Sequence, residues 1–218
     1  MSNMIEILVK GVFESLYMTL VSTIIAYILG IPLGVIVYIT DSKSICKNKA
    51  VNFIFGFVIN VIRSIPFLIL LVAMLPFTRM IVGTTIGVNA TIVPLVAAAA
   101  PFVARMVESS LKEVDSGVIE AARAMGSSPF QIITKVLLPE ATPSLLVGLT
   151  IAFATILGYS AMAGFVGGGG LGAIAINYGY YRYQSDMMFI TVAILVIMVQ
   201  VFQEVGIRVV NKIDKRLK

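Results

Sequence analysis

The sequence predicts an all-α, polytopic membrane protein with five spanning helices, and three observations point to it. Hydrophobic residues make up 59% of the 218 and charged residues only 12%, which is the composition of a chain whose solvent is lipid. Five apolar runs, at about 13–39, 52–76, 91–111, 143–166 and 187–210, each meet the ~20 residues a helix needs to cross the hydrocarbon core. The basic residues gather at the ends of these runs, as orientation signals do, so the net charge of +5 does not indicate nucleic acid. The whole chain, 1–218, reads as one transmembrane domain.

Composition also excludes several chemistries. Histidine is absent and Cys46 is the single cysteine, which rules out His/Cys metal clusters, a disulfide framework and a Ser/His triad. No cofactor or metal is implied. The start, MSNMIEILVKGVFES, has neither a basic region ahead of a short apolar core nor a small-residue cleavage site, so no signal peptide is expected. It reads as an amphipathic lead-in with Glu6, Lys10 and Glu14 on its polar side.

The first run, 13–39, is long enough to cross with tilt. Pro32 is expected to kink it, and Gly30 and Gly34 permit close helix approach of the small-xxx-small kind or mark only a local kink. A basic linker, 41–49, follows. The second run, 52–76, carries Arg63, Ser64, Ile65 and Pro66 well inside it. An arginine facing lipid at mid-bilayer costs ~2.5 to 3.5 kcal/mol on insertion scales, so Arg63 is expected to face a bundle interior, a cavity or the interface. Pro66 frees a carbonyl near Ile62 for Ser64 or Arg63 to satisfy. Arg63, Ser64 and Pro66 are therefore candidates for a gate or pathway; the alternative is a snorkelling anchor.

A polar break, 77–89, leads to the third run, 91–111. Ala97 to Ala100 followed by Pro101 suggests tight packing against other helices or a partner subunit, and Arg105 and Glu108, three apart, can pair near the membrane boundary. The fourth run, 143–166, opens on a Thr142–Pro143 cap and contains Gly148, Gly158 and Gly164; Gly158 and Gly164 are further gate or pathway candidates. Gly167, Gly169 and Gly172 formally match a dinucleotide fingerprint, but a spanning helix precedes them where the fingerprint needs a strand, so the match is rejected. These glycines read instead as a surface turn whose backbone lies close to another segment. Tyr178, Tyr180, Tyr181 and Tyr183 suit a bilayer interface, and the fifth run, 187–210, ends in a basic tail.

The segment 115–139 is the longest polar-tolerant interruption between apolar runs. It reads as two short helices folded on each other: Asp115 or Ser116 caps the first, Glu120 lies in its opening turns, and Gly126 ends it in a left-handed conformation. Ser128 caps the second with Pro129 at its first position and Gln131 three residues after the cap, and Pro139 stops it. So short a pair must dock on something to be stable. An amphipathic connector lying on the bilayer is one reading. The spacing points to another: Glu120, Ala121 and Ala122, then three residues to Gly126, then nine to Val136, Leu137, Leu138 and Pro139.

That pattern resembles the EAA signature of membrane subunits of ATP-binding-cassette importers, in which Ile stands at the position of Val136. The resemblance implies a type I importer architecture in which Glu120, Ala121, Ala122, Gly126, Ser128, Pro129, Leu138 and Pro139 form the coupling helix seated on a cytoplasmic ATPase. Residues 161–183, AMAGFVGGGGLGAIAINYGYYRY, are similar to the corresponding segment of methionine importer permeases. What the resemblance implies is a homodimer with an ATPase dimer below, an extracytoplasmic solute-binding protein above and methionine as cargo. No phosphate-binding loop occurs in the sequence, so the chain itself is not expected to be an enzyme.

Lys43, Lys47, Lys49, Lys112, Arg123, Lys135, Lys212, Lys215, Arg216 and Lys218 fall on one side and only Lys10, Arg79 and Arg182 on the other. The first side is predicted to be cytoplasmic, with the N-terminus outside and the C-terminus inside the plasma membrane. The rival function is an ion-gradient-driven secondary transporter, which is expected to show inverted repeats and midplane acids; those acids are missing. A membrane-embedded enzyme would need a Ser/His, paired-Asp or metal constellation, and none is present.

Overall fold

A computed structural model describes residues 2–213 apart from Lys43, so the orientation signals at Lys43, Lys215, Arg216 and Lys218 lie outside the described residues. In chain order the helices are α1 (Ser2–Thr40), α2 (Lys49–Ser64), α3 (Phe67–Ala73), α4 (Leu75–Val82), α5 (Val88–Lys112), α6 (Ser116–Ala124), α7 (Pro129–Ile132), α8 (Leu138–Ala163), α9 (Gly170–Ile174) and α10 (Ser185–Ile213). Among the described residues four stretches are long and apolar enough to cross a bilayer, and α2 with α3 makes a fifth if the bent pair is one span.

α1 and α5 form the centre of the bundle. Lipid tails are as apolar as leucine, so helices in a membrane associate through close packing, and small residues permit it. A β-carbon at Gly30 would lie 3.0 Å from the Ala100 carbonyl, and one at Gly34 would lie 2.5 Å from the Ala104 carbonyl. The glycine pair of the first span therefore has its partner in α5. The same contact decides between the two readings of the alanine run in favour of other helices: Ala99 and Ala100 are buried within this protomer and are not available to a second copy. Around them Met18, Leu95, Val103, Val107, Leu111 and Ile156 close the main core.

α1 is longer than predicted. It begins at Ser2 and continues through Pro32 as one helix, so the lead-in is part of the first span's own helix. Its early turns are held by Ile7, Leu8 and Val12 packing beside Leu171 and Ile174.

The second run is not one straight helix. Pro66 pushes the residue before it out of the helical region, Ile65 is extended (φ −83°, ψ 125°), and α2 and α3 meet at 102°. The freed Ile62 carbonyl accepts the Ile65 N–H at 3.2 Å, while the Ser64 hydroxyl donates to the Asn60 carbonyl at 2.8 Å. Neither Ser64 nor Arg63 serves Ile62, because the turn's own amide reaches it first. Beyond the bend Phe67 stacks on Tyr159 of α8 with ring centroids 4.5 Å apart. Most of the expected polar break is helical, since α4 runs to Val82 and ends at Gly83 (φ 82°).

The fourth span also starts earlier than its predicted boundary. Thr142 is no cap: its hydroxyl donates to the Leu138 carbonyl inside α8. At the far end of α8 the chain folds back. A β-carbon at Gly164 would collide with the Ala173 nitrogen, and one at Gly172 with the Ala161 carbonyl, so backbone packs on backbone there. Gly167 is exposed and Gly169 half-buried, as a surface turn requires, while residues 170–175 beyond them are buried. The predicted closeness to other segments is present. Gly170 N–H donates to Glu14 Oε2 at 2.8 Å, Leu171 N–H to Ser15 Oγ at 2.9 Å, and Gly87 N–H to the Gly167 carbonyl at 3.0 Å. α10 returns along α8, with Phe202 stacked on Phe153 and Gly206 pressed against Thr150.

Candidate coupling site

The segment between α5 and α8 folds into a turn whose two halves are each held by their own caps. Asp115 Oδ1 accepts the Gly117 N–H at 2.7 Å and opens α6. At its end Gly126 takes φ 78°; its N–H donates to the Arg123 carbonyl at 2.9 Å, and the Ser127 N–H to the Ala122 carbonyl at 3.1 Å. Those two bonds make a Schellman motif, which requires the left-handed residue that glycine supplies without strain. α7 then starts on a complete capping box, with the Gln131 N–H donating to Ser128 Oγ at 3.4 Å and the Ser128 N–H to Gln131 Oε1 at 2.8 Å, and with Pro129 at the first position.

Pro139 does not stop the second helix. A π-helical turn, Ile133–Leu137, follows α7, and α8 begins at Leu138. Proline lacks the N–H that would bond the carbonyl four residues back, and the wider turn, in which Leu138 N–H reaches the Ile133 carbonyl, absorbs that missing bond. The segment 115–139 is therefore continuous with the fourth span.

Ala122, Ile132 and Leu137 are buried and fix the turn to the main core. Ala121, Gly126, Ser128, Pro129 and Pro139 lie outside that buried set, and Leu138 is half-buried. Sequence reasoning missed two large apolar residues that stand exposed here: Met125 is 79% exposed and Phe130 73% exposed, one on each side of the Gly126 turn. Large apolar side chains beside the glycine of a polar segment draw attention to them, but nothing in the sequence says which way they face. Glu120 takes no amide at the helix start, where Asp115 acts. It lines a cleft of about 330 Å³ together with Tyr38, Asp41, Lys112 and Arg123.

Lys112 connects this cleft to the membrane. It donates to Glu108 Oε1 at 2.7 Å, Glu108 Oε2 is paired with Arg105, and Arg105 Nη2 donates across to α2, to the Gly56 carbonyl at 3.2 Å and Asn60 Oδ1 at 2.8 Å. The Arg105–Glu108 pair follows from their spacing, but its reach to α2 does not.

The pathway candidates do not converge. Arg63, Ser64 and Pro66 are exposed together at the α2–α3 bend. Gly158 has open space around it, beside a shallow groove shared with Leu195 and Val199 of α10, and Gly164 is packed into the folded-back loop.

Residues 10–218 match the family of binding-protein-dependent transport system inner membrane components. The chain belongs to that family. Among similar members, the probable D-methionine transport system permease protein MetI of Vibrio cholerae is 48% identical over 97% of this chain and 94% of its own length. The D-methionine transport system permease protein MetI of Escherichia coli K12 is 53% identical over 74% of each chain. A chain of the MetNI methionine ABC transporter, solved in inward-facing conformations, superposes with a TM-score of 0.97 at 49% identity, covering 99% of this chain and 100% of its own. A bacterial alginate ABC transporter chain shares the fold at a TM-score of 0.73 and 14% identity, over 97% of this chain and 80% of its own. The architecture is thus that of type I ABC importer permeases, held in a multi-pass inner membrane component.

Proposed function

We propose that this chain is the membrane-spanning subunit of an ATP-driven importer and that its cargo is methionine. The observation that carries the first part is the capped turn at 115–138, which leaves Met125 and Phe130 exposed on a base fixed to α5 and α8. Exposed apolar tips paired across a turn suit a partner's groove. The partner is an ABC ATPase dimer, which supplies the hydrolysis that no loop of this chain is built for. Two copies of the chain form the pathway, and an extracytoplasmic solute-binding protein delivers cargo from the opposite side. The lysine and arginine asymmetry supports placing 115–139 and the C-terminus in the cytoplasm and the N-terminus outside. Closure of the ATPases moves the coupling turns, and α5 and α8 carry that movement into the membrane. Methionine as cargo is supported by the names of relatives 48% and 53% identical to this chain.

A gradient-driven transporter is favoured by one feature, the broken second span. Its break carries Arg63 and Ser64 and no carboxylate to bind a coupling ion. The test is ATP hydrolysis by the reconstituted complex, measured with binding protein loaded with single amino acids. Methionine is expected to stimulate most; equal stimulation by all amino acids contradicts the cargo assignment, and an ATPase that never associates with the chain contradicts the importer assignment.

A further inference from the structure

We propose that Arg105 is a positioning residue that clasps α2 to α5, so that movement of the coupling turn reaches the break in the second span. The proposal rests on the importer reading above. The guanidinium is used as a fork: one nitrogen is held by Glu108 on its own helix, and the other spans to α2, to the Gly56 carbonyl and Asn60 Oδ1. Glu108, with its side chain only 8% exposed, lies between Arg105 and Lys112, which fixes the direction in which the guanidinium points.

Apolar packing holds α2 along one narrow face, where Ile59 and Phe55 meet Val37 and Leu33 of α1 and Ala104 of α5. Ile59 is its one buried side chain, and Phe53, Ile54, Phe57, Val58 and Val61 all face outward. Two polar contacts anchor it beside that face. Near its start Asn52 Nδ2 donates to the Val37 carbonyl at 2.7 Å, and further along Arg105 holds Gly56 and Asn60. The Asn60 carbonyl in turn accepts the Ser64 hydroxyl, in the last turn before the 102° bend.

At the other end α5 stops at Lys112 and α6 starts at Ser116, so a displacement of the coupling turn passes directly into the end of the helix that bears the clasp. With Asn52 as the fixed point and Arg105 as the moving one, α2 turns with α5 and carries Arg63 and the Pro66 bend with it.

The test is methionine uptake per ATP hydrolysed in proteoliposomes containing the complete complex. Arg105→Gln and Asn60→Leu are expected to assemble and hydrolyse ATP while uptake per ATP falls about ten-fold, the size of a lost coupling contact. Asn60→Asp, which still accepts from the guanidinium, is expected to keep the parent ratio, and the Arg105→Gln/Asn60→Leu double variant is expected to be no worse than either single one. A purely structural role would lower assembly and leave the ratio unchanged. Should Arg105→Gln leave Glu108 unbalanced and fail to fold, Asn60→Leu carries the test alone, because it keeps both partners of Glu108. Unchanged uptake per ATP in Asn60→Leu overturns the clasp while parental uptake upholds the importer reading; a parent complex that takes up no methionine contradicts that reading and the clasp with it.

Discussion

Gly126 is the residue on which the coupling turn depends most, because its φ of 78° is what the Schellman motif requires. A β-carbon at this position would have no atom within 4 Å, so the cost of a side chain is conformational and not steric contact with neighbours. Gly126→Val should cost about 1 kcal/mol or more in backbone strain and re-aim α7. Insertion and dimerisation are expected to be normal, with the ATPase absent from pull-downs. Glu120→Ala, which alters a cleft wall and leaves the Asp115 cap in place, should be milder. Met125→Ser and Phe130→Ser should each weaken ATPase association about ten-fold or more, the worth of one large apolar group seated in a groove, while leaving the protomer's helicity unchanged. Titration binding of detergent-solubilised chain to the ATPase checks all four. At this scale the caps were legible in the sequence, since Asp115, Gly126 and the Ser128–Gln131 box obey local rules. The outward tips were not: exposure is a tertiary property, and Met125 and Phe130 reveal it only once Ala122, Ile132 and Leu137 are seen to be the buried face.

Among the elements, the glycine and alanine contacts were legible as close approaches but not as to their partners. Gly30 and Gly34 meet α5 of the same chain, so Ala99→Leu tests protomer folding and is expected to lower the yield of folded chain. Gly158 is different, being exposed with nothing within 4 Å of an added β-carbon. Gly158→Leu should therefore leave the protomer intact and weaken self-association, read as a shift toward monomer in analytical ultracentrifugation in detergent. Equal dimer in parent and variant would place the contact between copies elsewhere. The bend in the second span follows from Pro66 and its effect on Ile65, which a hydropathy window does not register. Likewise Pro139 invites a stop signal in the sequence, and only the π-helical turn ahead of it shows why the helix continues. Pro66→Ala is expected to let α2 continue straight, preserving insertion and ATPase binding but abolishing transport.

For the molecule as a whole, hydropathy made the membrane class and the apolar runs legible, because these depend on composition summed over many residues. The folded-back loop at Gly164–Gly172 was legible as a glycine turn lying close to another segment but not as to its partner, since its burial depends on Glu14 and Ser15 in α1, 156 positions away from the residues they hold. The topology has a direct check in a Cys46→Ser background. Ala124→Cys and Tyr181→Cys are both at exposed positions, whereas Gly179, with the Met188 β-carbon 2.8 Å from any added β-carbon, is closed to reagent. Ala124→Cys should react with a membrane-impermeant maleimide only after the inner face is opened, and Tyr181→Cys from outside.

The most direct measurement is uptake of labelled methionine into proteoliposomes holding the chain, its ATPase and loaded binding protein, compared between parent and Gly126→Val. Uptake that requires ATP on the side of residues 115–139, persists without any ion gradient and vanishes in Gly126→Val is the predicted result. Uptake driven by a proton or sodium gradient in the absence of ATP, or uptake unchanged in Gly126→Val, would contradict ATP-driven import through this coupling turn.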